Sequence, residues 1–221
     1  MPGPLAAEVV SLVNDTVSKF EYISKIYSVA VKVTNNTTAS AEDFPSAFHD
    51  VGKHVPTVRD ALKAIEDHIW QRQDDQACTG MKTIAEECER KADRLKKLFS
   101  KVVPFDKKME SYRMAVRDND NKSRVEDLMK DAMQDVKLLL TVDDEMQLAT
   151  KPHLELLSKS MEEVSAIPQS LQDESPALGI HNYGSGPQNV NTGSGPQNNN
   201  NDKGIQVNGG TFHNVNPFQP Q

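Results

Sequence analysis

The sequence is poor in several residue types, and each shortage narrows what the protein can be. It has two cysteines, one tryptophan and 5% aromatic residues. No run of apolar residues approaches the roughly 18–20 that span a bilayer. Cys78 and Cys88 lie in one predicted helix at a spacing of about 15 Å, which is beyond disulfide reach. The sequence therefore predicts two reduced, buried thiols in a cytosolic protein.

A basic leader and a basic surface are also missing. The first residues, Met1 to Pro4, carry no positive side chain, and Glu8 and Asp15 interrupt the apolar stretch that follows. No secretory signal is therefore predicted. The formal net charge is −7, which argues against a general nucleic-acid binder, because phosphate contacts need an excess of Lys and Arg. We expect a cytoplasmic protein that binds no nucleic acid.

Recognisable catalytic chemistry is absent as well. The sequence has no glycine-rich phosphate loop, no Walker lysine, and no His/Cys cluster at zinc spacing. The six histidines are scattered, and His49 and His54 are five residues apart, which is wrong for one helical face. We predict no catalytic residue, no metal site and no cofactor, and hence a protein that is not an enzyme. A helical enzyme whose site is not recognisable from sequence stays open as a weaker alternative.

Helical periodicity dominates residues 1–172. Apolar residues recur at three- and four-residue steps in five segments: 5–33, 44–69, 74–102, 105–140 and 146–164. Pro56 falls inside the second pattern and predicts a kink or a split. The polar interval 118–122 and Pro152 mark breaks in the last two segments. The predicted fold class is all-α, a bundle of about five helices followed by a disordered or amyloid-forming C-terminal tail.

The first predicted helix is more apolar than a surface helix requires. Two interpretations follow: core packing, which periodicity alone favours, and contact with a membrane. The residues assigned to membrane action are Leu5, Val9, Val10, Leu12 and Val13.

A basic stretch follows in the third predicted helix. Between residues 90 and 108, eight Lys or Arg face two Asp, a local excess of six positive charges. A solvated helix face explains such a run. The functional alternative is a patch for anionic lipid headgroups, in which each cation contributes about 1 kcal/mol. The residues assigned to it are Arg90, Lys91, Arg94, Lys97 and Lys101.

The composition changes abruptly near Pro176. Eight of the 11 glycines follow that residue, whereas charge almost vanishes. A nine-residue period covers 183–191, 192–200 and 201–209, and the hexamer GSGPQN occurs twice without a change. Such a period indicates a small structural unit that is copied and stacked. We assign 173–179 to a linker and 180–218 to the repeat-containing motif.

The repeated residues suit stacked strands. Asn and Gln form amide ladders when identical positions stack about 4.8 Å apart, and Gly supplies the turns. Pro187 and Pro196 count against a ladder, because proline cannot donate to it; a disordered tail is the open alternative. The residues predicted to template assembly are Gly186, Gln188, Gly195, Gln197, Gly204, Ile205, Gln206 and Val207.

Two stretches resemble known families. The tail, with its repeated GSG and Gln-Asn units, resembles the sigma-type amyloid signalling motif of filamentous fungi. Residues 44–58 resemble the SesA family in their aromatic-Pro-x-Ala-Phe start, with Val55 where leucine is more usual, and residues 161–171 resemble the end of that domain. SesA is a small helical domain at the front of fungal NACHT and other STAND-type NTPases, and the resemblance covers most of 5–171.

These resemblances imply a fungal cell-death effector of the innate-immunity or heterokaryon-incompatibility type. An NLR-like STAND NTPase with a matching motif would seed self-assembly of the tail. The clustered helical domains would then act on the plasma membrane, with its anionic lipids, through the first helix. The alternative from a different class is a non-toxic interaction adaptor, an orphaned receptor front end that recruits partners. In that case the apolar stripe of the first helix would be entirely packed in the bundle.

Overall fold

The computed structural model describes residues 3–36, 45–71, 75–104, 107–118 and 123–171, which belong to one compact unit, Met1–Gln172. These residues form helices and no strand. The helices are α1 Pro4–Asn36, α2 Ser46–Gln71, α3 Asp75–Val102, α4 Lys108–Arg117, α5 Val125–Leu140, α6 Asp144–Ala149 and α7 Lys151–Ser165. The predicted all-α bundle is confirmed for this part of the chain.

The number of helices differs from the five expected, because two predicted segments each divide in two. Residues 105–140 become α4 and α5, on either side of the polar interval. Residues 146–164 become most of α6 and α7, which meet at Thr150. Pro152 lies in the first turn of α7, where its missing N–H has no helical partner to lose. Pro152 therefore suits the start of a new helix at Lys151.

The expectation that Pro56 splits the second helix is wrong, because α2 continues through it. Pro56 is exposed, whereas Val55 and Val58 beside it are fully buried. Buried residues recur along the whole helix, from Ala47 to Ile69. Packing of these residues compensates for the hydrogen bond that the proline nitrogen cannot donate to the carbonyl of Gly52.

The bundle is built around α2 and α3. α1 packs against both of them, α5 contacts both, and α7 covers α2 and α5. Side-chain pairs set the directions: Asn14 contacts Glu66 and Tyr27 contacts His49, so α1 runs antiparallel to α2. Glu8 pairs with Lys82 and Lys19 with Glu89, so α1 runs parallel to α3.

One end of the core is aromatic. The Phe48 ring meets those of Phe99 and Tyr112 edge-on, both at 4.9 Å between centroids. Such edge-to-face pairs add about 0.5–1.5 kcal/mol beyond the area that they bury. This cluster joins α2, α3 and α4.

Both cysteines lie on α3 and are buried as free thiols, as the sequence predicted. Burial raises the pKa of the Cys88 thiol well above its usual range. Its sulfur lies 3.9 Å from the carbonyl oxygen of Ala132 on α5. Cys88 therefore packs as a small apolar side chain at the interface of α3 and α5.

Candidate functional site: α1 and the root of the C-terminal tail

The residues assigned to membrane action lie inside the bundle. Val9, Val10 and Val13 are 0%, 4% and 1% exposed. Leu5 and Leu12 are half-buried and pack against the same core. In this conformation the stripe is core, and a membrane could reach it only if α1 left α2 and α3. Within the described segments, no helix is both long enough and apolar enough to cross a bilayer.

Apolar packing holds α1 in place more than its surface ion pairs do. Among residues 4–29 of α1, whose side chains the structure describes, seven apolar side chains are at most 4% exposed: Ala6, Val9, Val10, Val13, Val17, Phe20 and Ile23. Each buried Val, Ile or Phe contributes roughly 1.5–3 kcal/mol. The exposed pairs Glu8–Lys82 (2.7 Å) and Glu21–Lys63 (2.6 Å) are ordinary surface ion pairs, worth about 0–1 kcal/mol each.

The second half of α1 approaches α2 very closely at Gly52. A Cβ placed on Gly52 would lie 2.8 Å from the ring of Tyr27. The Tyr27 hydroxyl also lies 3.2 Å from Nδ1 of His49. The Tyr27 ring fills the space that a side chain at position 52 would take, so it would have to move for such a side chain to fit.

The basic residues of α3 are largely paired. Lys91 lies 2.6 Å from a carboxylate oxygen of Asp135, and Lys97 lies 2.7 Å from one of Asp93. Arg90 pairs with Glu87, and Lys101 lies 3.9 Å from Asp118. Glu87, Asp118 and Asp135 lie outside the segment counted in the sequence. The positive excess inferred there is therefore partly neutralised by neighbouring carboxylates.

The Lys91–Asp135 pair is the most buried of these contacts. The Asp135 side chain is 9% exposed. Burial raises its carboxyl pKa, and this effect outweighs the opposing hydrogen bond and charge of Lys91. Lys91 therefore ties α3 to α5 and is not available to a lipid headgroup while the pair is intact.

A hydrogen-bond network at the C-terminal end of the bundle was not foreseen from the sequence. Ser170 donates from its N–H to Glu126 (2.8 Å), and its hydroxyl lies 2.7 and 2.9 Å from the two Glu126 carboxylate oxygens. The Tyr112 hydroxyl lies 2.7 Å from the Ser170 hydroxyl and accepts from the Val125 N–H at 3.0 Å. A carboxylate can only accept hydrogen bonds. The Ser170 hydroxyl therefore donates to Glu126, the Tyr112 hydroxyl donates to Ser170, and the Val125 N–H donates to Tyr112.

Arg124 completes this network. Its Nε donates to the carbonyl oxygen of Leu171 at 2.7 Å, and its guanidinium lies 3.3 Å from Asp127. Ile167 and Leu171 also pack against the core. We call Tyr112, Arg124, Glu126, Ser170 and Leu171 the root network, because they fix the chain just before the tail. No local sequence pattern predicts these contacts, because Glu126 and Ser170 are 44 residues apart.

The comparisons with known proteins give one match. A family model described as SesA, the N-terminal domain on NACHT NTPases and P-loop NTPases, matches residues 13–139. This stretch is more than half of the 221-residue chain. The chain belongs to the SesA family. No curated protein and no solved structure matches it.

The SesA match runs from within α1 to the last turns of α5. It includes the close crossing at Gly52 and the paired basic residues of α3. It stops before α6, α7 and residues 170–171, so the root network joins Ser170 and Leu171, outside the match, to Tyr112, Arg124 and Glu126 inside it. The resemblance noted for 161–171 and the sigma-type resemblance of the tail lie beyond the matched residues.

The predicted templating residues, Gly186 to Val207, and the linker 173–179 lie outside the described residues. Across the segments that the structure describes, no group of three or more His, Cys, Asp or Glu is arranged to hold a metal ion. The SesA bundle thus offers two features for function: the packed α1 and the fixed root of the tail.

Proposed function

We propose that this SesA protein is a cell-death effector that is activated when its tail is templated by an NLR-like NTPase. The observation that carries the proposal is the combination of a domain family associated with NACHT NTPases with a tandem nine-residue repeat in one chain. The NTPase partner would carry a matching motif and act as the receptor. The helical bundle would be the output domain.

The physical principle is effective concentration. Stacked tails bring bundles together at a spacing set by the linker, and weak interactions of each bundle then act collectively. The ladder positions at Gln188, Gln197 and Gln206 suit this role because stacked amides pair with the copies above and below. Repeats that carry almost no charge also avoid stacking like charges.

Seeding of the full-length protein tests the proposal. Sonicated fibrils of the peptide 178–221 are added to the soluble chain, and sedimentation and thioflavin fluorescence are followed over time. We expect seeded assembly of the wild type and none when Gln188, Gln197 and Gln206 are changed to Lys. The matched control changes Gln172, Gln219 and Gln221 to Lys, which adds the same charge away from the period. If the control fails as completely as the ladder variant, charge alone explains the loss and the ladder is wrong.

Membrane action requires one further step, the release of α1. In the proposed active state, Val9, Val10 and Val13 leave α2 and α3 and enter anionic bilayers. Tethering tests this step: Glu21→Cys and Lys63→Cys place thiols on α1 and α2 where a 2.6 Å ion pair stands, and a bismaleimide joins them. Asp93→Cys with Lys97→Cys, both on α3, gives a cross-linked control that leaves α1 free.

A second candidate function is the non-toxic adaptor, favoured by one observation: the apolar stripe of α1 is packed in the core. The two functions differ in dye release from vesicles of phosphatidylserine and phosphatidylcholine after seeding. The effector requires leakage that the α1–α2 tether abolishes and the α3 control retains. The adaptor requires no leakage from any form, with seeded assembly unchanged.

A further inference from the structure

The root network concentrates several interactions on a short segment that follows the last helix. α7 ends at Ser165, and residues 166–171 continue without regular helix to the tail. One residue of this segment, Ser170, contacts both Tyr112 and Glu126. The Glu126 side chain is buried, with 4% of the residue exposed. This segment is held by a few side-chain hydrogen bonds and by Ile167 and Leu171, and not by a helical ladder.

We propose that the root network is a latch that opens when tails assemble, so that residues 167–171 join the tether while the seven helices stay folded. This proposal rests on the proposed function and adds its regulation. In the single protein, the latch holds residues 167–171 against α4 and the start of α5. Assembly of the tail opens the latch and lengthens the connection between the bundle and the stack.

The reason is a mismatch of sizes. Strands in a cross-β stack repeat about every 4.8 Å, so even three stacked repeats per chain rise only about 14 Å. A folded unit of about 170 residues is about 40 Å across. Bundles attached to one stack must therefore fan out around it, and the reach of the tether decides how many can be accommodated.

Opening the latch lengthens the tether while little of the packing is disrupted. Five residues, 167–171, extend by up to about 17 Å when they leave the bundle. The segment lies at the chain end of the bundle, where local opening needs the least disruption of packing. The ring contacts of Phe48 with Phe99 and Tyr112 join α2, α3 and α4 and include no atom of residues 167–171.

Hydrogen exchange of the full-length protein tests the opening directly. In the soluble chain, we expect the Ser170 amide to be protected because it donates to Glu126. After seeding, exchange at Ser170 should rise by about tenfold or more, with the amides of α2 and α3 unchanged. Continued protection of Ser170 in assembled protein would overturn the latch and leave the templating proposal standing.

Shortening the linker tests the consequence. Deletion of residues 175–178 removes about 14 Å of reach, and we expect it to slow seeded assembly of the wild type strongly. Ser170→Ala opens the latch and should restore most of the lost rate, while Ser165→Ala, at the exposed last residue of α7, should not. Tyr112→Phe opens the network from its other side with the aromatic cluster kept, and should restore the rate as Ser170→Ala does.

The outcomes separate the two proposals. A wild-type chain that does not assemble with seeds overturns both. A chain that assembles, but loses the same rate on deletion in the Ser170→Ala, Tyr112→Phe and Ser165→Ala backgrounds, overturns the latch alone. Circular dichroism of each variant checks that the helices remain folded, and a variant that has lost them counts against the claim that the latch opens independently.

Discussion

Single residues set how tightly α1 is held. Gly52 allows α1 and α2 to approach until the Tyr27 ring occupies the place of a side chain. Gly80 on α3 has no atom within 4 Å of a built Cβ. These two helical glycines differ in what surrounds them, so comparing them measures the effect of the crossing.

We predict that Gly52→Ala destabilises the protein and Gly80→Ala stabilises it. Alanine gains about 0.5–1 kcal/mol over glycine inside a helix, which is the full effect expected at Gly80. At Gly52 the clash with Tyr27 reverses the sign, because overpacking costs about 1–3 kcal/mol. Urea unfolding measures both. In a Tyr27→Ala background, Gly52→Ala should become stabilising, and a loss that persists there would show that Tyr27 is not the cause.

Two histidines on α2 make stability depend on pH. Burial lowers the pKa of His49 and of His54, against the opposing charges of Asp50 at His49 and Glu163 at His54. Their folded pKa values therefore lie below the unfolded value of about 6.5. The unfolded chain binds more protons as the pH falls below that value, so stability decreases.

We predict that the urea concentration at the midpoint of unfolding decreases as the pH is lowered from 7.5 to 5.5. The double change His49→Gln and His54→Gln should flatten this dependence, whatever its effect on stability at pH 7.5. An equal decrease of the midpoint in the double variant would mean that other titratable groups cause the pH dependence.

Burial also makes the native thiols unreactive. Cys78 and Cys88 are both 0% exposed, and the attacking species is the thiolate, which the raised pKa of Cys88 suppresses. We predict that the folded protein does not react with Ellman's reagent at pH 8. In guanidinium, the unfolded chain should release two equivalents of thionitrobenzoate, one for each thiol. Rapid native labelling would contradict the packing of α3 and would also remove the selectivity of the tethering experiment.

The helices illustrate what sequence periodicity can and cannot give. The stripes of α1, α2 and α3 are long and regular, and their segments were predicted within a few residues. The division of the later segments depended on the polar interval and on Pro152, which the sequence marked as breaks without showing that separate helices result. The continuity of α2 could not be predicted, because the local effect of Pro56 favours a kink and only packing of the whole stripe opposes it.

Proline position therefore gives a prediction at the level of the helix. Pro56→Ala restores an N–H that can donate to the Gly52 carbonyl and removes the ring clash, so α2 should gain stability by about 1–3 kcal/mol. Pro152→Ala in the first turn of α7 restores an N–H without a helical partner and should change stability little. Equal effects in urea unfolding at the two positions would contradict this account of α2.

In the molecule as a whole, composition separates a helical domain from a tail, and the SesA family accounts for 13–139 of that domain. The root network could not be predicted, because it joins α4, the start of α5 and the segment after α7 through one hydroxyl, one phenol and one carboxylate. Isolated polar residues on helices usually indicate a solvated face. Only the fold brings Glu126 and Ser170 together.

Both proposals depend on assembly of the tail of the full-length protein as stacked strands. X-ray diffraction from aligned assemblies of the seeded full-length chain tests it most directly. We expect a sharp meridional reflection at about 4.8 Å, lost in preparations of the Gln188, Gln197 and Gln206 to Lys variant. Assemblies without that reflection, or a chain that stays soluble with seeds, would contradict it.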